Sequence, residues 1–206
     1  MKTLLRIDSS ARTQDSWSRR AGDALSDAWE KQQGKGSVVH RDLALHPLPH
    51  IESETIEGMF TDAPLPERLA SATALSDQLI HEIEQADAVL ITTPLYNFGI
   101  PSSLKAWIDQ ISRIGRTFAF DGKQFQPLIP GKPVTLVVAY GAQGYGAEGD
   151  FRAANFVEPY LQFMLGFLGF RVQVQTIEAT SINAAFAQME LDTIRLGAPE
   201  WAREVA

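Results

Sequence analysis

Three segments of the sequence combine residue types that suit the binding of a ligand. The first is Ser9-Ser10-Ala11-Arg12-Thr13-Gln14-Asp15-Ser16-Trp17-Ser18, which places clustered hydroxyls just ahead of an amphipathic stretch. Free N–H groups and the dipole at a helix start favour an anion, so Ser10, Ser16 and Ser18 could hold a phosphate without a phosphoryl-transfer lysine. Serine is also a preferred helix cap, and capping alone would account for them. The second segment is Thr93-Pro94-Leu95-Tyr96-Asn97-Phe98-Gly99-Ile100-Pro101-Ser102-Ser103-Leu104-Lys105. Its two prolines and Gly99 set a stiff turn whose backbone could hydrogen-bond a planar heterocycle, with Tyr96 and Phe98 as flat apolar surface beside it. A packed loop covering a sheet edge would use the same residues. The third, Tyr140-Gly141-Ala142-Gln143-Gly144-Tyr145-Gly146-Ala147-Glu148-Gly149, holds four of the fifteen glycines. Glycine permits close backbone approach to a ligand, although a flexible connection has the same composition.

Each segment follows an apolar run, and the runs alternate with helical patterns. Thr3–Ile7 reads as a buried strand, and Ser37–Asp42 as an edge strand. Ala88–Thr93 and Pro133–Ala139 are continuous and rich in β-branched residues, as central parallel strands covered on both faces should be. Val172–Ile177 supplies a fifth. Between them, helices are predicted over Ser18–Gln32, Pro66–Gln85, Ser102–Ile114, Phe151–Leu168 and Asn183–Arg203 from apolar positions at three- and four-residue steps. Residues 43–66 form a surface excursion with a short helix near Ser53–Met59, and Phe118-Ala119-Phe120 with Asp121-Gly122 forms an aromatic connection.

Five strands alternating with five helices imply right-handed crossovers and an α/β three-layer sandwich with helices on both faces. Two doubly wound orders compete. The dinucleotide-binding order expects Gly-x-Gly-x-x-Gly after the first strand, but here the first glycine is Gly22. The flavodoxin-like order 2-1-3-4-5 fits better, and it makes the first, third and fourth strands neighbours. All three loops then converge at one sheet edge.

Composition removes several classes of function. The 206 residues, 45% of them hydrophobic, can bury one core, so a single domain over 1–206 is expected. A net charge of -7 offers no basic footprint for nucleic acid. There are no cysteines, so redox chemistry would require an organic cofactor. The early charges Lys2, Arg6 and Asp8 do not suit a leader, and no run reaches the roughly 20 apolar residues of a membrane span. A cytoplasmic protein with no membrane partner is expected. His46-Pro47-Leu48-Pro49-His50 is a poor metal motif because its prolines break the helical face such ligands share, so no metal is expected. No Gly-x-Ser-x-Gly elbow marks a serine nucleophile. Trp29, Trp107 and Trp201 fall in helix stripes and read as core.

On these residues the chain resembles the FMN-dependent NADH-azoreductases, relatives of the NAD(P)H quinone reductases. The resemblance covers most of the chain. Its marks are Ser9-Ser10 with Ser16-Trp17-Ser18, Arg41-Asp42-Leu43, Pro94-Leu95-Tyr96-Asn97-Phe98 running into Pro101-Ser102-Ser103-Leu104-Lys105, Asp109, Phe118, the glycine loop from Tyr140, and Pro159-Tyr160-Leu161 with Leu165-Gly166-Phe167-Leu168-Gly169. It implies an FMN phosphate held by Ser10 and the Ser16-Trp17-Ser18 segment. The isoalloxazine would lie on Pro94, Leu95, Tyr96, Asn97 and Phe98, with Tyr140, Gly141, Ala142 and Gln143 along its pyrimidine end. Phe118 and Phe120 would lie near the outer ring face, and Phe163 or Met164 would reach in from the partner of a homodimer. One departure is that relatives often carry two adjacent glycines where this chain has Tyr140-Gly141-Ala142-Gln143.

The implied activity is ping-pong, two-electron reduction of small quinones and azo compounds, with NADH or NADPH as donor. The cofactor performs the redox step, so no proton-transferring residue is assigned. A flavodoxin-like electron carrier without enzymatic activity would use the same loops, whereas the Phe118–Phe120 connection argues for a substrate pocket.

Overall fold

Side-chain alternation along buried strands decides which helices cover which face, because successive residues point to opposite sides. In the computed structural model, which describes residues 1–61, 64–146 and 148–206, the strands of the main sheet are β1 (Leu4–Asp8), β2 (Val38–Asp42), β3 (Ala88–Pro94), β6 (Pro133–Ala139) and β7 (Arg171–Ile177). They are parallel, in the order β2-β1-β3-β6-β7, which is the flavodoxin-like order expected from the sequence. Leu5, Ile7, Val89, Ile91, Leu136 and Val138 face one side and pack under α3 (Glu67–Gln85), α4 (Ser102–Ile111) and α5 (Glu158–Leu168). Leu4, Leu90 and Val137 face the other, under α1 (Trp17–Gln33) and α6 (Ala184–Val205). Trp107 belongs to the first core, and Trp29 and Trp201 to the second. All three tryptophans are buried, as their positions in the helix stripes predict.

The short α2 (Ser53–Met59) lies in the excursion after β2, where the sequence placed it, although Asp62 and Ala63 of that excursion lie outside the described residues. Three expectations need correction. Phe118-Ala119-Phe120 is no mere connection: it is strand β4, paired antiparallel with β5 (Phe125–Pro127) in a separate hairpin around Asp121, whose side chain accepts from Lys123 and Gln124 N–H. The helix predicted over Phe151–Leu168 is split. Arg152–Ala154 form one 3-10 turn, and α5 begins only at Glu158, where Asn155 Oδ1 accepts from the N–H groups of Val157 and Glu158. The helix predicted over Ser102–Ile114 stops at Ile111, because Thr117 Oγ1 takes the Ile111 carbonyl and accepts from Arg113 N–H.

Close approach of α1 to the sheet depends on Gly22. A Cβ there would lie 2.8 Å from Thr92 Cγ2 and about as close to the Arg6 guanidinium. This contact brings the start of α1 over the carboxyl ends of β1 and β3. No helix among the described residues is long and apolar enough to cross a membrane.

Candidate functional site

At the carboxyl ends of β1, β3 and β6 lies a cavity of about 200 Å³. Ser10, Arg12, Asp15, Ser16, Trp17 and Ser18 line it from the first loop, Pro94, Leu95 and Tyr96 from the second, and Ala139 and Gly141 from the third. Thr180 and Ser181 close it from the loop after β7. The register explains the convergence, since Asp8 pairs with Thr92 and Pro94 with Ala139, so the three strands end at one level. A second hollow of about 410 Å³ shares Tyr96 and runs between Leu43–Pro47 and the start of α4.

The serine loop leaves hydroxyl donors open. Ser16 is the N-cap of α1, but its side chain makes no capping hydrogen bond and instead lies 3.3 Å from Ser18 Oγ. No acidic residue stands in the first turn, so the helix start keeps its positive end toward the cavity. Beneath the loop is a buried charge network. Arg19 Nη2 donates to the Ser10 carbonyl at 2.8 Å and to Asp42 Oδ1 at 2.9 Å, while Nη1 donates to Asp42 Oδ2. Asp42 Oδ1 also accepts from Ala44 and Leu45 N–H at 2.9 and 3.0 Å. Burial works to raise the Asp42 pKa, but the Arg19 guanidinium and these two amides hold the carboxyl well below the usual carboxylate range. Asp8, fully buried, accepts from Arg6, Thr92, Arg19 and His40. Burial raises its pKa too, and the His40 and Arg6 contacts more than reverse this. Asp8, His40 and Asp42 lie close enough to share an ion, but guanidinium groups already occupy the place a cation would take.

The second loop is a tight turn. Tyr96 and Gly99 exchange both backbone hydrogen bonds at 3.0 Å, and Asn97 and Phe98 between them have φ of 49° and 69°. Left-handed backbone at two successive non-glycine residues is strained and is retained where surroundings enforce it. Here α5 supplies the constraint from its entry, because Phe156 N–H donates to the Phe98 carbonyl at 3.1 Å. Among the described residues the N–H groups of Asn97 and Phe98 find no protein acceptor. Neither residue lines the cavity, and both are exposed at its rim.

The third loop is gripped from two sides. Glu178 accepts from Gly144 and Tyr145 N–H, each at 3.0 Å, while Ala179 N–H donates to Ala142 O and Ser181 N–H to Gly141 O. Asn155 Nδ2 reaches the Tyr145 carbonyl and the Tyr140 hydroxyl. Tyr140 therefore does not face the cavity. Its ring is fully buried and stacks on Tyr145, its hydroxyl donates to Glu158, and its backbone is taken by Ile177 and Thr180. Burial and the Glu158 carboxylate push its pKa well up, so it stays a donor. Gly141 lines the cavity, whereas Ala142 and Gln143 lie beyond it with N–H groups that meet no acceptor among the described residues. Ala147 of this loop lies outside the described residues.

Of the residues singled out for substrate, none lines the cavity. Phe118 packs on Phe125 and Phe167 of an aromatic cluster that continues to Phe120 and Phe163. Phe120 and Phe163 are exposed, and Met164 is half-buried against the core. Sequence reasoning missed Arg12, Asp15, Ala139, Thr180 and Ser181 as lining residues. Thr180 and Ser181 follow a strand of the same sheet, so the rule that ligands sit beyond the carboxyl ends of the strands could have found them.

Three comparisons bear on this geometry. A family model described as a flavodoxin-like fold matches residues 1–196. An FMN-dependent NADH:quinone oxidoreductase of Xanthobacter autotrophicus is 54% identical over 172 residues, covering 83% of each chain. One of the same description from Beijerinckia indica is 42% identical over 184 residues, covering 89% of this chain and 90% of its own. Among solved structures, an azoreductase from Bacillus anthracis superposes with a TM-score of 0.86 at 26% identity, covering 99% of this chain and all of its own.

Proposed function

The chain belongs to the flavodoxin-like family, and from that premise we propose that it is an FMN-dependent oxidoreductase that passes electrons from NADH or NADPH to small acceptors. Quinones are the first acceptor class, in line with the relatives' activity. Reductive cleavage of aromatic azo compounds is the second, in line with the structural neighbour. One observation carries the reading. Open hydroxyls and a bare helix start meet a stiff aromatic turn and a glycine loop in one cavity at the strand ends. The cavity offers an anion cradle, and the backbone donors of Asn97, Phe98, Ala142 and Gln143, without acceptors among the described residues, stand just outside it beside flat apolar surface. A monophosphate attached to a planar heterocycle fits that donor set.

In this reading Ser10, Ser16, Trp17 and Ser18 hold the phosphate. Pro94, Leu95, Tyr96, Asn97 and Phe98 support the ring, and Gly141, Ala142 and Gln143 present N–H groups to its pyrimidine end. Bound FMN supplies two-electron chemistry, accepting hydride from a nicotinamide and delivering it to an acceptor. The chain's own part is orientation and electrostatics. Backbone donors fixed before the reaction stabilise negative charge gathering at the pyrimidine end, with no reorganisation needed as it forms. No side chain of the cavity is placed as an acid or base. If nicotinamide and acceptor took turns over the same part of bound FMN, the oxidised nucleotide would have to leave before the acceptor enters, which would give ping-pong kinetics.

The exposed aromatics extend the proposal to a homodimer. Phe120, Phe125 and Phe163, joined in one aromatic cluster, are 47%, 58% and 70% exposed, more than a monomer usually leaves in one region. Packed against a second copy, Phe163 and Met164 would complete an acceptor pocket together with Phe118 and Phe120. Steady-state NADH oxidation by the FMN-loaded protein, at varied quinone and varied azo dye, tests the activity. Parallel double-reciprocal lines are expected with both, and an absence of turnover with either acceptor class would refute it.

A further inference from the structure

The serines of the cavity carry no charge, and a net charge of -7 disfavours the approach of a phosphate dianion. A local cation would add to the helix start in offsetting that repulsion. Four arginines, Arg6, Arg12, Arg19 and Arg20, stand near the serine loop in the sequence. Three are already engaged. Arg6 donates to Asp8 at 2.9 Å and to Asp23 at 2.7 Å. Arg19 is closed off by Asp42, Asp8 and the Ser10 carbonyl, so its charge is spent within the protein and its role is to brace the loop. Arg20 donates to Gln188 and lies 4.4 Å over the Trp17 ring.

Arg12 differs from all of them. Its side chain makes no hydrogen bond or ion pair among the described residues, it is exposed, and it lines the cavity beside Ser10, Ser16 and Ser18. Its backbone is anchored, with the N–H donating to Ser10 Oγ at 3.3 Å. Asp15, also at the cavity, is not paired with it. No other lysine or arginine among the described residues lines this space.

Resting on the FMN reading above, we propose that Arg12 is the charged ligand of the FMN phosphate and the residue that makes this site select FMN over riboflavin. A guanidinium can pair two N–H donors with two phosphate oxygens, which a lysine cannot reproduce. The serines and the helix start fix the position of the phosphate, and Arg12 supplies its countercharge.

The test is a titration of the full-length protein, freed of flavin, with FMN and separately with riboflavin, following quenching of flavin fluorescence. Arg12→Ala is expected to weaken FMN about tenfold or more, the scale of a lost charged hydrogen bond, while riboflavin affinity stays the same. Arg12→Lys should retain part of the preference. The difference should shrink at roughly 1 M salt, where exposed charges are screened. If wild type prefers FMN but Arg12→Ala weakens both ligands equally, or neither, the proposal falls while the phosphate cradle stands. If wild type binds riboflavin as tightly as FMN, the phosphate assignment itself falls, and the role of Arg12 with it.

Discussion

Asp42 ends β2, pins the turn into Leu43–Leu45, and holds Arg19 against the Ser10 carbonyl. In the sequence it was visible only as part of Arg41-Asp42-Leu43, a mark of resemblance without a role, because an ion pair spanning 23 positions leaves no local pattern. Tyr140 shows the converse. The resemblance implied a ligand contact for it, but residue type does not reveal which way a ring turns, and this ring fills the core. The serines and the Tyr96–Gly99 turn were legible because caps, prolines and left-handed turns are local chemistry. Breaking the buried pair by Arg19→Met or Asp42→Asn should each cost about 3 kcal/mol in urea unfolding at neutral pH, since one buried charge is left alone. The double variant should lose less than the sum. The Asp42 carboxyl has a depressed folded pKa, so its contribution is complete above the unfolded value of about 4 and fades as pH falls below it. The gap between wild type and Asp42→Asn should therefore narrow on acidification, and a constant gap from neutral pH to about pH 2 would contradict this assignment.

Among the elements, the central strands were read with nearly their final bounds, because continuous apolar runs have few other uses in a short chain. The hairpin β4–β5 and the delayed start of α5 were not. Both are set by side-chain contacts that periodicity does not register: Asp121 building a turn and Asn155 capping a helix while tying down the glycine loop. α5 turns Leu161, Leu165 and Leu168 to the core and leaves Phe163 outside. If that face meets a second copy, wild type should sediment as a dimer. Phe163→Asp should then raise the dimer dissociation constant by roughly thirtyfold or more, on the scale of an interface anchor. FMN should be retained, because one chain supplies the whole cradle, while acceptor turnover falls. A wild-type monomer with full turnover would remove the dimer from the account.

For the molecule as a whole, one parallel sheet brings three loops from distant parts of the chain to a common edge, and a fourth, Thr180-Ser181, joins them. The sheet order was legible because no glycine fingerprint follows the first strand, and the loops that follow the first, third and fourth strands were the unusual ones. The fourth contribution was missed because Thr180 and Ser181 look like ordinary loop residues until β7 is placed beside β6. The convergent cavity and the FMN-dependent relatives then agree on redox chemistry performed by a bound organic group. The most direct measurement of that claim is the visible spectrum of the purified full-length protein during anaerobic addition of NADH and then of a quinone. One FMN per chain should be present or taken up on addition, one equivalent of NADH or NADPH should bleach it fully, and one equivalent of quinone should restore it. A colourless protein that takes up no added FMN, or a flavin that stays oxidised with both nucleotides, would contradict the account.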